Sequence, residues 1–547
     1  MRIVIISIVL FMQFLNAAQM TFEEVEFSST DDKKRQLISS KNVKIDNKIV
    51  PIDYHTLARS GDKIGNGIFG EVLDIKGNTL FISNKNDFSS LHYKDGSYFL
   101  LTQFESVPAA MYLTKLQRDA SGIFQAIDTK NLDMSSVGGL WIPCAGSVTP
   151  WASHLGSEEY EPDASLEYTI NPMAQYFGDE NANINLYNYG WIPEVTILDN
   201  KGNTEIKKHY SMGRFSHELA YVMPDKRTVY MSDDGYNVGL FMYIADKAGD
   251  LTSGRLYAAQ WKQNHKSANI VWRDLGHATD EEIKTSIDKK VKFTDIFERS
   301  KSDAKGCQKG FSSINTSVGH ECLRVKKGME IVASRFESRR YAAIKGATTE
   351  FNKLEGITYD NNKNVLYLSV SSIDDGMLDD PNGADMGGQN HITLEKNRCG
   401  AVYELELKSY IAQSMRKTIE GIESEKNATD KCDINSIANP DNITYINDKN
   451  ILIIGEDSKS GHQNDNVWAY DTKTKKLTRI MSVPYGSETT GMYYYNDFKG
   501  FDYILSTVQH PYGESDEDKA RSKDDLKAFT GYLGPIPRVI PNILRGF

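Results

Sequence analysis

Beyond Leu15 the chain has no apolar run approaching the roughly 20 residues that a bilayer-spanning helix needs, which excludes a helical membrane protein. Positive charge is short as well. Lys and Arg number 63 against 74 Asp and Glu, a net charge of −11. Such a chain is a poor partner for nucleic acid. It also repels phosphate-bearing ligands, unless bound cations reverse the sign of the potential inside a cleft. Prolines are few, 15 in 547 residues, and no stretch is of low complexity. With 40% hydrophobic and 10% aromatic residues, the chain can bury a large core.

Cysteine is scarce, and its number is odd: residues 144, 307, 322, 399 and 432. The first 18 residues explain why parity matters. Arg2 is followed by the uncharged apolar run Ile3 to Leu15 and then by Ala17 and Ala18, the pattern of a Sec-type signal peptide; an uncleaved anchor is the other option, and the Asn-Ala-Ala end favours cleavage near Ala18. The expectation is a periplasmic or secreted, monomeric protein with no membrane attachment after cleavage. In an oxidising compartment one cysteine of five stays outside a disulfide. Cys307 and Cys322 flank a Gly/Ser-rich loop, and Cys399 and Cys432 lie either side of an expected helix. Pairing them so leaves Cys144 over, although four cysteines allow three connectivities.

Residues 19–50 form a polar segment that reads either as a leader or as an edge strand, and 51–547 read as one domain. Short β-branched and aromatic strands dominate that domain: Thr228 to Ser232, Gly239 to Ala245, Leu256 to Trp261, Val365 to Val370, Ala401 to Leu405, Ile451 to Ile454, Val467 to Tyr470 and Tyr503 to Thr507. Helical patterns are confined to insertions. Thr279 N-caps a helix running toward Ser300, with Asp280, Glu281 and Glu282 in its first turn, and Lys408 to Glu423 reads as a second helix. Three strands end alike, at Asp233-Asp234, Asp374-Asp375 and Glu456-Asp457, with separations near multiples of a blade of roughly 40 to 47 residues. A β-propeller gathers such strand ends around one mouth. A β-sandwich is the alternative, with tighter strand spacing and smaller insertions.

The segment Cys144 to Glu159, CAGSVTPWASHLGSEE, places a thiol, a Thr-Pro-Trp turn and two carboxylates within sixteen residues. Thiolate is a soft ligand and carboxylate a hard one, so the mixture suits a transition metal beside oxygen-loving cations. Further acids lie in turn-like settings: Glu218 in GRFSHE, Glu355 in KLEG, Asp441 in NPDN, Glu456 and Asp457 after a strand, and Glu488 in ETTG. If these acids converge, their repulsion demands either cations or strongly raised pKa values.

The order of these motifs, closed by Gln509-His510-Pro511, resembles the PhoX-type alkaline phosphatases from about residue 60 to 515. The resemblance implies an all-β, six-bladed β-propeller with helical insertions and an iron and calcium cluster, Fe3+ and Ca2+, that hydrolyses small phosphate monoesters to inorganic phosphate. Position by position it implies Cys144 as the iron-ligating thiolate, with Glu158, Glu159, Glu218, Glu355, Asp441, Glu456, Asp457 and Glu488 as metal ligands. Thr149 and Trp151 would lie by the substrate, and Lys353, Arg214 and Thr149 would complete the phosphate cradle, with pairing to a structural acid the alternative for Arg214. His217 and His510 would orient carboxylates, whereas Asp233, Asp234, Asp374 and Asp375 would be turn or surface acids. Two departures stand out. Lys353 stands where many members carry an arginine, which removes the planar fork that grips phosphate. Gly156-Ser157 stands where a second cysteine is common. The lone Arg2 points to Sec rather than twin-arginine export. Two other functions fit the same residues: a calcium-dependent phosphodiesterase or triesterase, and a non-catalytic calcium-stabilised propeller that binds a partner.

Overall fold

A computed structural model describes residues 19–538, apart from 47, 167–170, 180, 181, 183, 303–305, 426–428 and 514–515. The expected signal peptide, residues 1–18, lies outside the described residues, as does the tail from 539 onward.

Strands and antiparallel pairing dominate, and the eight expected strands all form. Six strands contact one another in a closed cycle: Asn86–Lys94, Ser147–Val148, His217–Val222, Leu354–Asp360, Pro440–Ile446 and Glu488–Tyr495. From each, at least three further antiparallel strands step outward, the arrangement of propeller blades. The third and fourth of these sheets are joined edge to edge where Ser267–Thr279 pairs with Ile411–Glu420. Between them, residues 280–352 supply helices and a small sheet, Phe297–Ser300, Ser312–Thr316 and Gly319–Val325. The last sheet is assembled from both ends of the domain, with Asp53–Arg59 pairing along Phe529–Pro537. Segment 19–50 packs at an edge: Ile38–Ser39 extends the fifth sheet beside Leu477–Ser482, and Met20–Phe22, Asn42–Ile45 and Lys48–Pro51 form a sheet of their own.

Two expected helices change. Thr279 does cap a helix, and its capping box with Glu282 is complete, but the helix ends at Asp288; Phe293–Ile296 is a separate turn and Phe297–Ser300 is a strand. Lys408 to Glu423 is a hairpin strand, Ile411–Glu420, paired with Ala401–Lys408. Its buried Ala412 and Met415 are three residues apart, a helical spacing. A β-bulge between the pairs Leu407↔Ala412 and Glu406↔Ser414 absorbs the extra residue, so one strand face can hold both.

Bulges also shape the axis. Five of the six inner strands break register just after they begin: between Asn86 and Ser89, His217 and Leu219, Leu354 and Ile357, Pro440 and Ile443, and Thr490 and Tyr493. In the first four, an acid sits inside the irregularity: Asp87, Glu218, Glu355 and Asp441. A bulge re-aims a side chain and bends its strand, here toward the axis. Gly356 lets two inner strands approach, since a Cβ there would lie 2.7 Å from the Ile443 amide nitrogen and 2.8 Å from the Asp441 carbonyl oxygen.

Candidate metal centre

The bulged strand starts bring their acids together at one end of the ring. Ligand atoms of Cys144, Glu159 and Glu218 lie within 4.8 Å of one another, as do those of Glu218, Glu355 and Asp441, and those of Asp87, Glu105 and Cys144. Shared members make the three groups one continuous cluster. Glu488, Asp457 and Asp234 adjoin it electrostatically. The thiol of Cys144 is the free cysteine; Cys307–Cys322 and Cys399–Cys432 are disulfides.

Neutral donors brace these acids. The Asn442 amide donates to Glu218 Oε1 at 3.2 Å and to Asp441 Oδ1 at 2.9 Å, and is itself held by the Gly491 N–H at 2.7 Å. Gln509 donates to Asp87 Oδ2 at 3.2 Å and to Glu105 Oε2 at 2.9 Å. The Thr490 hydroxyl lies 2.9 Å from Asp87 Oδ1, and Ser371 donates to Glu355 Oε1 at 2.9 Å. Lys353 Nζ lies 3.3 Å from both Asp234 Oδ1 and Glu355 Oε1, with its side chain 24% exposed.

This much like charge cannot be ionised together without compensation. Burial first, then mutual repulsion, raises Glu159, Glu218, Asp441 and Glu488 well above the carboxylate range, and lifts Asp87 and Glu355 to about 8. Burial and the neighbouring acids likewise push the Cys144 thiol up. Asp234 behaves oppositely. Burial raises it, but the Lys353 charge and hydrogen bonds from Glu159 and Tyr160 outweigh that and hold it below the usual carboxylate range.

Adjacent acids part company here, at the last residue of a strand and just beyond it for Asp233-Asp234 and Glu456-Asp457, and in an extended segment outside any strand for Glu158-Glu159. Glu158 points away from the cluster. Its Oε1 accepts from Lys208 Nζ at 2.8 Å and the Trp141 N–H at 3.0 Å, and its Oε2 from the N–H groups of Gly190 and Trp191. Glu456 is equally saturated, by the Ala438 and Asn466 N–H groups, the Trp468 indole and His462. Asp233 is buried against Arg339, which binds both its oxygens, at 2.6 and 2.9 Å. In each pair the second residue, Glu159, Asp457 or Asp234, joins the cluster. Asp233 and Asp234 are therefore not turn or surface acids as expected; Asp375 is exposed, and Asp374 is held by Lys396 and Arg398.

Three expected substrate-side residues lie elsewhere. Arg214 is buried and spends its guanidinium on backbone carbonyls of Tyr189, Phe336, Pro162 and Leu186. Thr149 and Trp151 sit in the hairpin turn at the far end of Ser147–Val148 and His154–Leu155 from Cys144. Thr149 bonds Ser153 at 2.7 Å, and the Trp151 indole donates to Glu194 Oε1 at 2.7 Å; Glu194 in turn binds His209. His510 does orient an acid, Glu488, at 3.1 Å. His217 packs against the Phe215 ring and bonds the Gly213 carbonyl instead. Asp87, Glu105 and Asn442 complete the cluster without having been expected in it. Asp87 shares the second position of an inner strand with Glu218, Glu355 and Asp441, whereas Glu105 follows the strand Ser97–Phe104 and Asn442 follows Asp441.

A propeller-like ring whose strand starts converge acids and one thiol on its axis, beside a lysine, is the architecture of a β-propeller that can hold cations at its mouth. The sequence model of the family described as Alkaline phosphatase PhoX matches residues 109–512, and the chain belongs to that family. Among solved structures it is similar to Pseudomonas fluorescens PhoX in complex with vanadate, a transition state analogue, at 16% identity and a TM-score of 0.63, covering 94% of this chain and 98% of that one. A second similarity, to Saccharomyces cerevisiae Sqt1, has 8% identity and a TM-score of 0.31 over 83% of this chain and 97% of that one, too low to carry an argument. No curated protein matches the sequence.

Proposed function

We propose that the protein is an exported phosphatase that hydrolyses small phosphate monoesters at this cluster, with Fe3+ held through Cys144 and Ca2+ through the carboxylates. The observation that carries the reading is the donor set itself: a buried thiol and a crowd of mutually repelling carboxylates, which cations would stabilise and nothing else present neutralises fully. Cys144 with Glu159 and Glu218 would hold the soft-ligand position; Glu355, Asp441, Asp457, Glu488, Asp87 and Glu105 offer the oxygen ligands calcium prefers. Metal bound there would neutralise phosphoryl charge and supply an activated oxygen nucleophile.

The remaining work falls to side chains. Lys353, fixed between Asp234 and Glu355 yet partly exposed, places a cation at the mouth of the cluster where a phosphoryl oxygen can reach it. Burial lowers the pKa of its ammonium, but the charges of Asp234 and Glu355 raise it further, so it stays protonated. An ammonium lacks arginine's fork, so one oxygen is held rather than two. Tyr160, hydrogen-bonded to Asp234 at 2.5 Å, keeps that carboxylate turned to Lys353. Glu158, Glu456 and Arg214 belong to the framework in this reading, and Thr149 and Trp151 to the far turn.

The two disulfides fit an oxidising compartment and so support export. Among the described residues no helix is long and apolar enough to cross a membrane.

Metal analysis of the purified protein, with phosphomonoesterase assays before and after chelation, tests the reading. Iron with calcium, a visible thiolate charge-transfer band lost in Cys144→Ser, and activity restored by both metals are expected. Protein without iron that turns over no phosphomonoester when calcium is supplied would refute it.

A further inference from the structure

Beside Lys353 and Asp457 opens a cavity of about 950 Å3. That is at the upper end of the range for small-molecule sites, and far more than a phosphoryl group requires. Its wall carries four solvent-exposed cations, Lys396, Arg398, Lys431 and Lys459, in a chain whose net charge is −11. Lys396 and Arg398 share a single carboxylate, Asp374, at 3.0 and 2.7 Å, so the trio keeps a net positive charge. Arg398 is 68% exposed despite this bond, and one of its five guanidinium N–H groups serves it.

The wall is built rather than incidental. The Cys399–Cys432 disulfide ties the segment of Arg398 to that of Lys431. The Lys431 and Cys432 N–H groups donate to the carbonyls of Ser460 and Gly461, which adds the segment of Lys459. Asn439 binds the Arg398 carbonyl at 3.0 Å, and the Arg398 N–H donates to Glu423 at 2.8 Å. Asp375, Glu423 and Glu425 also line the cavity and balance its overall charge. Attraction there is consequently local, through charge-assisted hydrogen bonds, rather than a long-range field.

We propose that this cavity is a leaving-group subsite selecting phosphate esters that carry a second phosphate, which Arg398 grips together with the neighbouring lysines. The inference rests on the phosphatase reading: Lys353 and the cluster take the phosphoryl group to be cleaved, and the cationic wall takes the other.

The test compares kcat/KM for hexanediol monophosphate and hexanediol bisphosphate on the metal-loaded full chain. The bisphosphate should be preferred about tenfold beyond the factor of two due to its two equivalent ends, the size of one charge-assisted hydrogen bond. Arg398→Gln, and separately Lys431→Gln, should shrink that preference toward the factor of two, and Arg398→Lys should restore part of it. A wild-type ratio of two, or a larger ratio that neither glutamine variant changes, overturns the subsite. Turnover of neither ester, by contrast, overturns the phosphatase reading beneath it.

Discussion

Glu158 and Glu159 are neighbours with opposite assignments, and a conservative change at each separates framework from site. In Glu158→Gln the buried ammonium of Lys208, whose side chain has no solvent exposure, loses its counter-ion at 2.8 Å. The new amide NH2 would also face N–H donors that now bind a carboxylate oxygen. Breaking a buried pair from one side costs about 3–5 kcal/mol. In Glu159→Gln the reverse holds. One member of a repelling cluster becomes neutral, so the metal-free protein should be as stable as wild type or more so, while metal retention and turnover collapse. Urea unfolding of chelated protein, followed by tryptophan fluorescence, reads the first effect, since Trp141 and Trp191 both donate to Glu158. Phosphatase activity and bound metal read the second. The assignment would fail if Glu159→Gln destabilised the chelated protein as much as Glu158→Gln, or if Glu158→Gln remained stable and lost only metal.

Other residues give further expectations. Lys353→Ala should lower kcat/KM by about 100-fold and Lys353→Arg should retain most activity; equal losses in the two would remove Lys353 from phosphate binding. Glu456→Gln should behave like Glu158→Gln, lowering stability while folded protein keeps its metal, as metal analysis of the soluble fraction will show. Burial pulls the pKa of His209 down, but Asp280 and Glu194 overturn this and lift it to about 9, while Asp250 adds a weaker pull. A raised folded value contributes stability fully present below the ordinary value near 6.5 and lost as pH rises through about 9, here about 3 kcal/mol. The stability difference between wild type and His209→Gln should therefore shrink between pH 6 and pH 10; a constant difference would mean His209 does not titrate.

The site residues readable from sequence are those embedded in turn motifs. Glu355, Asp441 and Glu488 sit beside glycine, asparagine and threonine at strand entrances, Cys144 and Glu159 bound the CAGSVTPWASHLGSEE segment and Glu218 ends GRFSHE, and the structure gathers all six. Asp87 and Glu105 were not readable, since Asn-Asp-Phe and Phe-Glu-Ser are ordinary strand text and both precede the matched span 109–512. Of two adjacent acids, sequence cannot say which faces the axis, because that depends on how the chain leaves the strand or turn, which the packing around it decides. Arg214 and Trp151 show a different limit. A residue inside a motif can serve the motif's own backbone, as Arg214 does for four carbonyls. The false helix at 408–423 comes from a bulge that gives a strand helical spacing.

The closing sheet gives the cluster a place in time. Its strands come from both ends of the domain, and contacts such as Thr490 to Asp87 span 403 residues. Contacts so distant in sequence form late and slowly. A half-emerged chain therefore has no binding pocket for metal, only scattered acids. Ions trapped early would have to be surrendered before the ring could shut. Occupancy becomes a report on completed folding, and a chain clipped after Arg59 should lose metal along with the outer strand of its last sheet.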